Sequence, residues 1–406
     1  MNMNKIITLS LITTLYVSAG GYKIPEQSQN ALALSNAYLA HTMGADTAYY
    51  NPAAMVFMGD KQYLEAGLMV VHISSQVYTN GKYSGESESE TIPIPSVYYV
   101  SAPMGDVRWG LSLNAPSGAT RRWETPYQKL SSEKFQLENV QLNPVVAYKV
   151  NPYFSIGGGF RIMYSQGGVY SDGGDIKVAK REMTGSGTGF GYNFSMLLNP
   201  YEGMNLAMSY TSQIDLKEEG KVNLYVGKVG KQFDATLDLI HPAELGIGLS
   251  QTWNDNLTVE VKYERTFWSA YKELDFEYDG AIPEKLQPKF EDPQVRGWKD
   301  TNAFRIGTTY RMDRLTLMAG FALDESPISQ KYLGFELADS DAKLYSLGFK
   351  YKQTSQLSWG ASFMYVDKED FTLAQGVSED ELVLTHGGDF SEGDAYLLSL
   401  GLSYEF

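Results

Sequence analysis

The sequence predicts an all-β fold: a 14-stranded antiparallel transmembrane β-barrel with an N-terminal hatch plugging the lumen. Three observations predict it. The chain ends Leu398-Ser399-Leu400-Gly401-Leu402-Ser403-Tyr404-Glu405-Phe406, a strand with one apolar face, one polar face and a terminal aromatic residue. Alternating segments of this kind recur from about residue 62 onward. The connections between them are alternately short and long, as in barrels with periplasmic turns and outer loops. In lipid only helices and closed barrels satisfy every backbone group. After residue 19 no run of about 18 apolar residues exists to form a spanning helix.

The elements follow in order. Lys5, the apolar run Ile6 to Val17 and the small residues Val17-Ser18-Ala19 predict a secretory signal peptide over 1–19. An uncleaved anchor is the alternative. Residues 20–61 do not alternate. Ala31, Leu32, Leu34, Ala37, Tyr38 and Ala40 suggest one or two short helices. The segment is too apolar for a disordered tail. A barrel of this width needs filling unless it is an open pore, so the segment is expected to fold back inside as a hatch.

The barrel is expected over 62–406. Its strands lie near 62–78, 93–103, 107–117, 135–150, 153–166, 188–199 and 203–216, then 241–253, 256–268, 300–312, 314–323, 342–353, 356–367 and 394–406. An even count leaves both ends on the periplasmic side. Short turns fall at Asn151-Pro152, Asn254-Asp255, Met312-Asp313 and Thr354-Ser355, and across 199–203. Long connections fall near 79–92, 118–134, 167–187, 217–240, 269–299, 324–341 and 368–393. Some are acidic, as in Glu86-Ser87-Glu88-Ser89-Glu90 and Glu379-Asp380-Glu381. A solvated loop explains them; divalent-ion bridging to lipopolysaccharide is the sharper reading.

Composition narrows the function. The 406 residues contain no Cys, which excludes disulfides, thiol nucleophiles and Cys-ligated metals. A net charge of −15 disfavours nucleic acid. The 39 Gly and 29 Tyr suit a twisted barrel with aromatic girdles. Only four His are present, His41, His72, His241 and His386, and none has a recognisable catalytic partner by spacing. An enzyme is therefore disfavoured. A hydrophilic porin and a surface adhesin remain as rivals; a porin would lack a hatch.

The stretch Ala45-Asp46-Thr47-Ala48-Tyr49-Tyr50-Asn51-Pro52-Ala53-Ala54-Met55 resembles the hatch signature of the FadL family, outer-membrane transporters of long-chain fatty acids and aromatic hydrocarbons. Pro95-Ser96-Val97-Tyr98-Tyr99-Val100, Asn114-Ala115-Pro116-Ser117-Gly118 and Leu142-Asn143-Pro144-Val145-Val146-Ala147-Tyr148 resemble its second to fourth strands. Thr266-Phe267-Trp268-Ser269, Trp298-Lys299-Asp300-Thr301 and Asp324-Glu325-Ser326-Pro327 resemble its ninth to eleventh. The matches occur in order over nearly the whole chain after the signal. The resemblance implies passive uptake without a cofactor. A hydrophobic ligand would pass from outer loops to a lumen pocket and leave sideways where the third strand is kinked. It implies a monomer whose partners are that ligand, outer-membrane lipid and lipopolysaccharide.

The residues suit this reading. Pro cannot donate to a ladder and Gly weakens a strand. Pro116, Ser117, Gly118 and Ala119 are therefore the candidate kink, against an ordinary strand end. Asn51, Pro52 and Ala53 form a turn ahead of the first strand, a candidate hinge and a candidate cover for the kink. The apolar face of Phe160, Ile162 and Tyr164 turns Arg161 inward; the same parity turns Lys262 and Arg305 inward. Each is a candidate partner for an anionic head group. The alternative is a lumen ion pair with Glu260 or Glu264. Met318 stands inward where the family often has Arg, which leaves room for a neutral hydrocarbon.

Overall fold

The computed structural model describes residues 20–174, 179–284, 286–290, 293–377 and 386–406. The expected signal peptide and the acidic run Glu379-Asp380-Glu381 lie outside them. The barrel begins with β1 (Tyr63–Ile73), β2 (Glu90–Val100), β3 (Val107–Asn114, resuming as Gly118–Arg122) and β4 (Lys134–Asn151). It continues through β5 (Phe154–Asp172), β6 (Ala179–Tyr201), β7 (Met204–Thr211 and Ile214–Val226) and β8 (Val229–His241 and Glu244–Trp253). It ends with β9 (Leu257–Thr266), β10 (Thr301–Met312), β11 (Leu315–Asp324), β12 (Ala342–Lys352), β13 (Leu357–Lys368) and β14 (Ala395–Glu405). Neighbours pair antiparallel, and β14 closes on β1 from Tyr63 opposite Glu405 to Ile73 opposite Ala395.

Alternation sets the faces. Leu398, Leu400 and Leu402 are exposed on the outer wall, while the alternate residues Leu397 and Ser399 are buried inside. The same parity leaves Phe304 and Ile306 outside and Arg305 inside. Apolar side chains on the outer face have lipid as their solvent.

Two expected loops are strands. Residues 217–240 form a hairpin from the outer parts of β7 and β8, and β6 starts at Ala179 rather than near 188. The alternation there is inverted. Leu216, Val222 and Leu224 point inward, while Asp215, Lys217 and Glu219 point outward. Beyond the bilayer the outer face meets water, so the apolar face is the inner one. The first strand also ends early. Gln76–Thr79 joins Gly85–Glu86, Phe371–Leu373 and Gly388–Glu392 in a small separate sheet.

Residues 20–57 pack inside the barrel. They carry a helix Gln29–Ala33, a short helix Thr47–Tyr50 and a 3-10 helix Pro52–Phe57. Ser28 caps the first by accepting from the Ala31 N–H. Ala31, Ala33, Leu34, Tyr38 and Tyr50 form a buried core with Met318 of β11. Met318 thus seats the segment.

Candidate functional site

The third strand breaks. Its ladder with β4 runs to Asn114 opposite Gln141 and restarts at Gly118 opposite Glu138, so Ala115, Pro116 and Ser117 are skipped with a one-residue shift in register. Gly118 and Ala119, expected within the break, belong to the resumed strand. Gly118 does not adopt a left-handed backbone. Its part in the kink is not the conformational freedom expected of it.

On the other side the parting is longer. The β2–β3 ladder holds four pairs, Val97–Val100 with Gly110–Leu113. Above them the wall meets again where Glu88 N–H donates to Arg122 O at 2.9 Å. The β2 stretch between contains Pro93 and Pro95, which cannot donate to a neighbour. The N-terminal segment fills the opening. Ile24 N–H donates to Pro116 O at 2.9 Å, and Gly118 N–H donates to Tyr22 O at 2.8 Å. Lys23 is bridged to Ser117.

The cover of the break is therefore Tyr22–Ile24, not Asn51–Ala53 as expected. Ala53 is fastened to the facing wall: its N–H donates to Ser195 Oγ at 2.9 Å and its carbonyl accepts from Ser155 Oγ at 2.7 Å. The physical reason is Gly157 of β5. A Cβ there would lie 2.5 Å from Ala53 N, so only glycine lets the turn seat so closely. The Asn51 amide donates to Leu39 O at 2.8 Å, tying the two halves of the segment together.

A cavity of about 70 Å³ lies between this segment and the wall. Pro52, Pro116, Arg161 and Lys262 of the sequence candidates line it, with Lys23, Gln141 and Asn193. Arg305 does not line it. The cations differ in their partners. Lys262 pairs with Glu264 at 2.7 Å. Arg305 reaches Asp324 at 2.9 Å, Glu26 at 3.4 Å and Glu264 at 3.6 Å. Lys23 reaches Glu244 at 2.9 Å and Glu264 at 3.1 Å. Lys262 and Arg305 are thus compensated within the lumen. Arg161 is not. It donates to Gln141 Oε1 and to the Ser212 carbonyl, each at 2.8 Å, and among the described residues it has no ion pair.

The electrostatics of the segment follow from burial. Desolvation pushes the Glu26 carboxyl up to about 7, against the pull of Arg305. Burial also opposes the charge on Lys23, but Glu244 and Glu264 outweigh it and hold the ammonium above its ordinary range.

Lys23, Tyr22 and Glu26 were missed by sequence reasoning. Tyr22 and Ile24, flanking Lys23, gave a weak period-2 signal for a strand too short to register. Glu260 was read only as an ion-pair neighbour. Its carboxylate instead accepts the backbone N–H groups of Leu39, Ala40 and His41, at 2.6, 2.9 and 2.8 Å. A bond to an ionised acceptor contributes on the order of 1.5–3 kcal/mol. Glu260→Ala should therefore raise hydrogen exchange at those three amides by about tenfold or more, read by mass spectrometry of the folded barrel. Unchanged protection would show that the segment is held elsewhere.

His241 has partners that spacing did not reveal. His241 Nδ1 lies 3.1 Å from Ser117 Oγ, and Nε2 lies 3.9 Å from Glu244. The second distance is beyond hydrogen bonding. Ser117 Oγ also accepts from Asn139 at 2.7 Å, and Glu244 is engaged by Lys23. His241 thus shares Ser117 with Asn139, and among the described residues its other nitrogen has no carboxylate within hydrogen-bond distance.

A closed barrel with a buried N-terminal segment and a charged lumen defines a plugged transmembrane β-barrel. Residues 10–406 match the family model "Outer membrane protein transport protein (OMPP1/FadL/TodX)", and the chain belongs to that family. It is 25% identical over 475 residues to outer membrane protein P1 of Haemophilus influenzae, covering 100% of both chains. It is 23% identical over 456 residues to the long-chain fatty acid transport protein of Escherichia coli K12, covering 98% of this chain and 97% of that one. Among solved structures, a Pseudomonas aeruginosa FadL homologue superposes with a TM-score of 0.82 at 19% identity, over 95% of this chain and 99% of that one. The Pseudomonas putida toluene transporter TodX does so with 0.72 at 15%, over 96% and 99%. The chain is an outer-membrane protein.

Proposed function

We propose that the chain is a passive channel for hydrophobic compounds, with residues 20–61 as its hatch and the parted β2–β3 wall as a lateral exit. The observation that carries this reading is the join of three features. The wall opens at Pro116, Tyr22–Ile24 pairs with the β3 edge of the opening, and the cavity behind it holds Arg161 without an ion pair. A hydrophobic solute that leaves sideways never enters bulk water, which saves its hydration cost. The relative named as a long-chain fatty acid transporter and the fold shared with a toluene transporter support a hydrophobic solute.

Arg161 favours an anionic amphiphile. Lys262 and Arg305, the other two candidates, already face carboxylates and would have to exchange them for the ligand. The test is binding of a long-chain fatty acid to purified barrels. Arg161→Leu should weaken it by about tenfold or more, the effect of one lost charge-assisted bond. The alcohol of equal length should lose little. Equal loss for both, or none for the acid, refutes Arg161 as the anchor.

A further inference from the structure

The cavity wall around Arg161 holds more hydrogen-bonding capacity than the protein satisfies. Gln141 and Asn143 on β4 and Asn193 on β6 are at least nine-tenths buried. Among the described residues, Gln141 Nε2, Asn143 Oδ1, Asn193 Oδ1 and Thr211 Oγ1 have no hydrogen-bond partner. They form one patch. Thr211 is directly opposite Asn193, and Asn193 is opposite Gly159, two residues from Arg161. Gln141 bonds the Arg161 guanidinium through its oxygen, which leaves its amide nitrogen as a free donor.

Buried polar groups are normally paired, and a ligand that leaves them unpaired binds less well than one that pairs them. A hydrocarbon satisfies none of these four. A plain carboxylate only accepts. It can take Arg161 and the Gln141 amide, but offers nothing to the Asn143 and Asn193 oxygens. Reversing either amide turns a donor toward the ligand, but the patch runs from β4 across β5 and β6 to β7, strands about 4.8 Å apart, and the two oxygens of one carboxylate do not span it. A hydroxyl both donates and accepts.

We infer that the cavity selects anionic amphiphiles carrying a hydroxyl close to the carboxylate, over plain fatty acids and over hydrocarbons. The inference rests on the channel reading and narrows its substrate class. Arg161 holds the carboxylate, and the Asn143–Asn193 side of the patch takes the hydroxyl.

The test is displacement of a fluorescent fatty acid from the purified full-length barrel. The competitors are a β-hydroxy fatty acid, the plain acid of equal chain length and the corresponding alkane. The hydroxy acid should bind about tenfold more tightly than the plain acid, the effect of roughly one added neutral hydrogen bond. Asn143→Leu with Asn193→Leu should bring that ratio close to one. If the double variant does not fold, Asn193→Ala, which adds no bulk, is measured for the same fall in ratio. A ratio near one in the unmodified protein means that water alone serves these groups, and overturns the inference. A ratio that survives the substitutions overturns the site. Binding of neither acid removes the channel reading as well, whereas equal binding of both removes only this inference.

Discussion

Gly320→Val should unseat the hatch from a barrel that still forms. A Cβ at Gly320 would lie 2.2 Å from the carbonyl carbon of Leu34 and 2.5 Å from both Leu34 O and Ser35 N. These are backbone atoms, so no side chain can swing aside. The backbone there cannot easily give either. Ser35 and Asn36 have φ of 47° and 60°, a left-handed turn of fixed shape. Ser35 is also held from the wall, its hydroxyl 2.7 Å from Ser346 Oγ and its carbonyl accepting from Arg305 at 3.3 Å. Ordinary overpacking costs about 1–3 kcal/mol, and a backbone clash costs more. The wall keeps its ladder, because Gly320 pairs with Gly307 and Ser346 through backbone groups that valine retains. The expected phenotype is an open aqueous path. Single-channel conductance should rise by about tenfold or more, and cells should become sensitive to antibiotics too large for the native protein. Native conductance in the folded variant would mean that the segment does not close the lumen.

The barrel was legible because lipid imposes a simple rule on each strand inside it. Leu206-Ala207-Met208-Ser209-Tyr210 and Leu257 to Tyr263 alternate apolar with polar or small residues, and both lie in strands. The rule fails where the wall leaves the membrane. Ile214–Val226 alternates just as regularly, but its apolar side faces the interior, so the expected signature of a lipid face is missing. The parity of Arg161, Lys262 and Arg305 could be read locally, because each has apolar neighbours on both sides. Their partners could not. Lys23 meets Glu264 across 241 residues. Such separations are fixed by barrel closure and hatch docking, which leave no local pattern. The same holds for the cover of the kink. Asn51-Pro52-Ala53 stands out as a motif, yet three unremarkable residues, Tyr22-Lys23-Ile24, provide the backbone edge that the broken strand needs.

Gly118→Glu should obstruct uptake of a hydrophobic substrate while the barrel still folds. Gly118 is buried at the upper edge of the skipped residues, and its N–H donates to Tyr22 O, a bond that glutamate can also make. It stands opposite Glu138, and directly opposed residues share a face. The new carboxylate therefore enters the face that carries Glu138, beside the parted β2 edge. An apolar solute passing there would have to desolvate the charge, at a cost of several kcal/mol. Repulsion from Glu138 costs the strand roughly 0.2–1 kcal/mol, and desolvation of the new carboxylate adds to it at this one position, while the ladders of the strands away from β3 are untouched. Uptake should fall on the order of tenfold or more, with the shift in gel mobility between heated and unheated samples unchanged. Gly118→Ala separates charge from bulk: it should retain most of the uptake, since Gly118 needs no left-handed backbone. Native uptake through a folded Gly118→Glu barrel would exclude a lateral path at this position. The solute would then have to descend past the hatch, and Gly320→Val would raise its flux together with that of polar solutes.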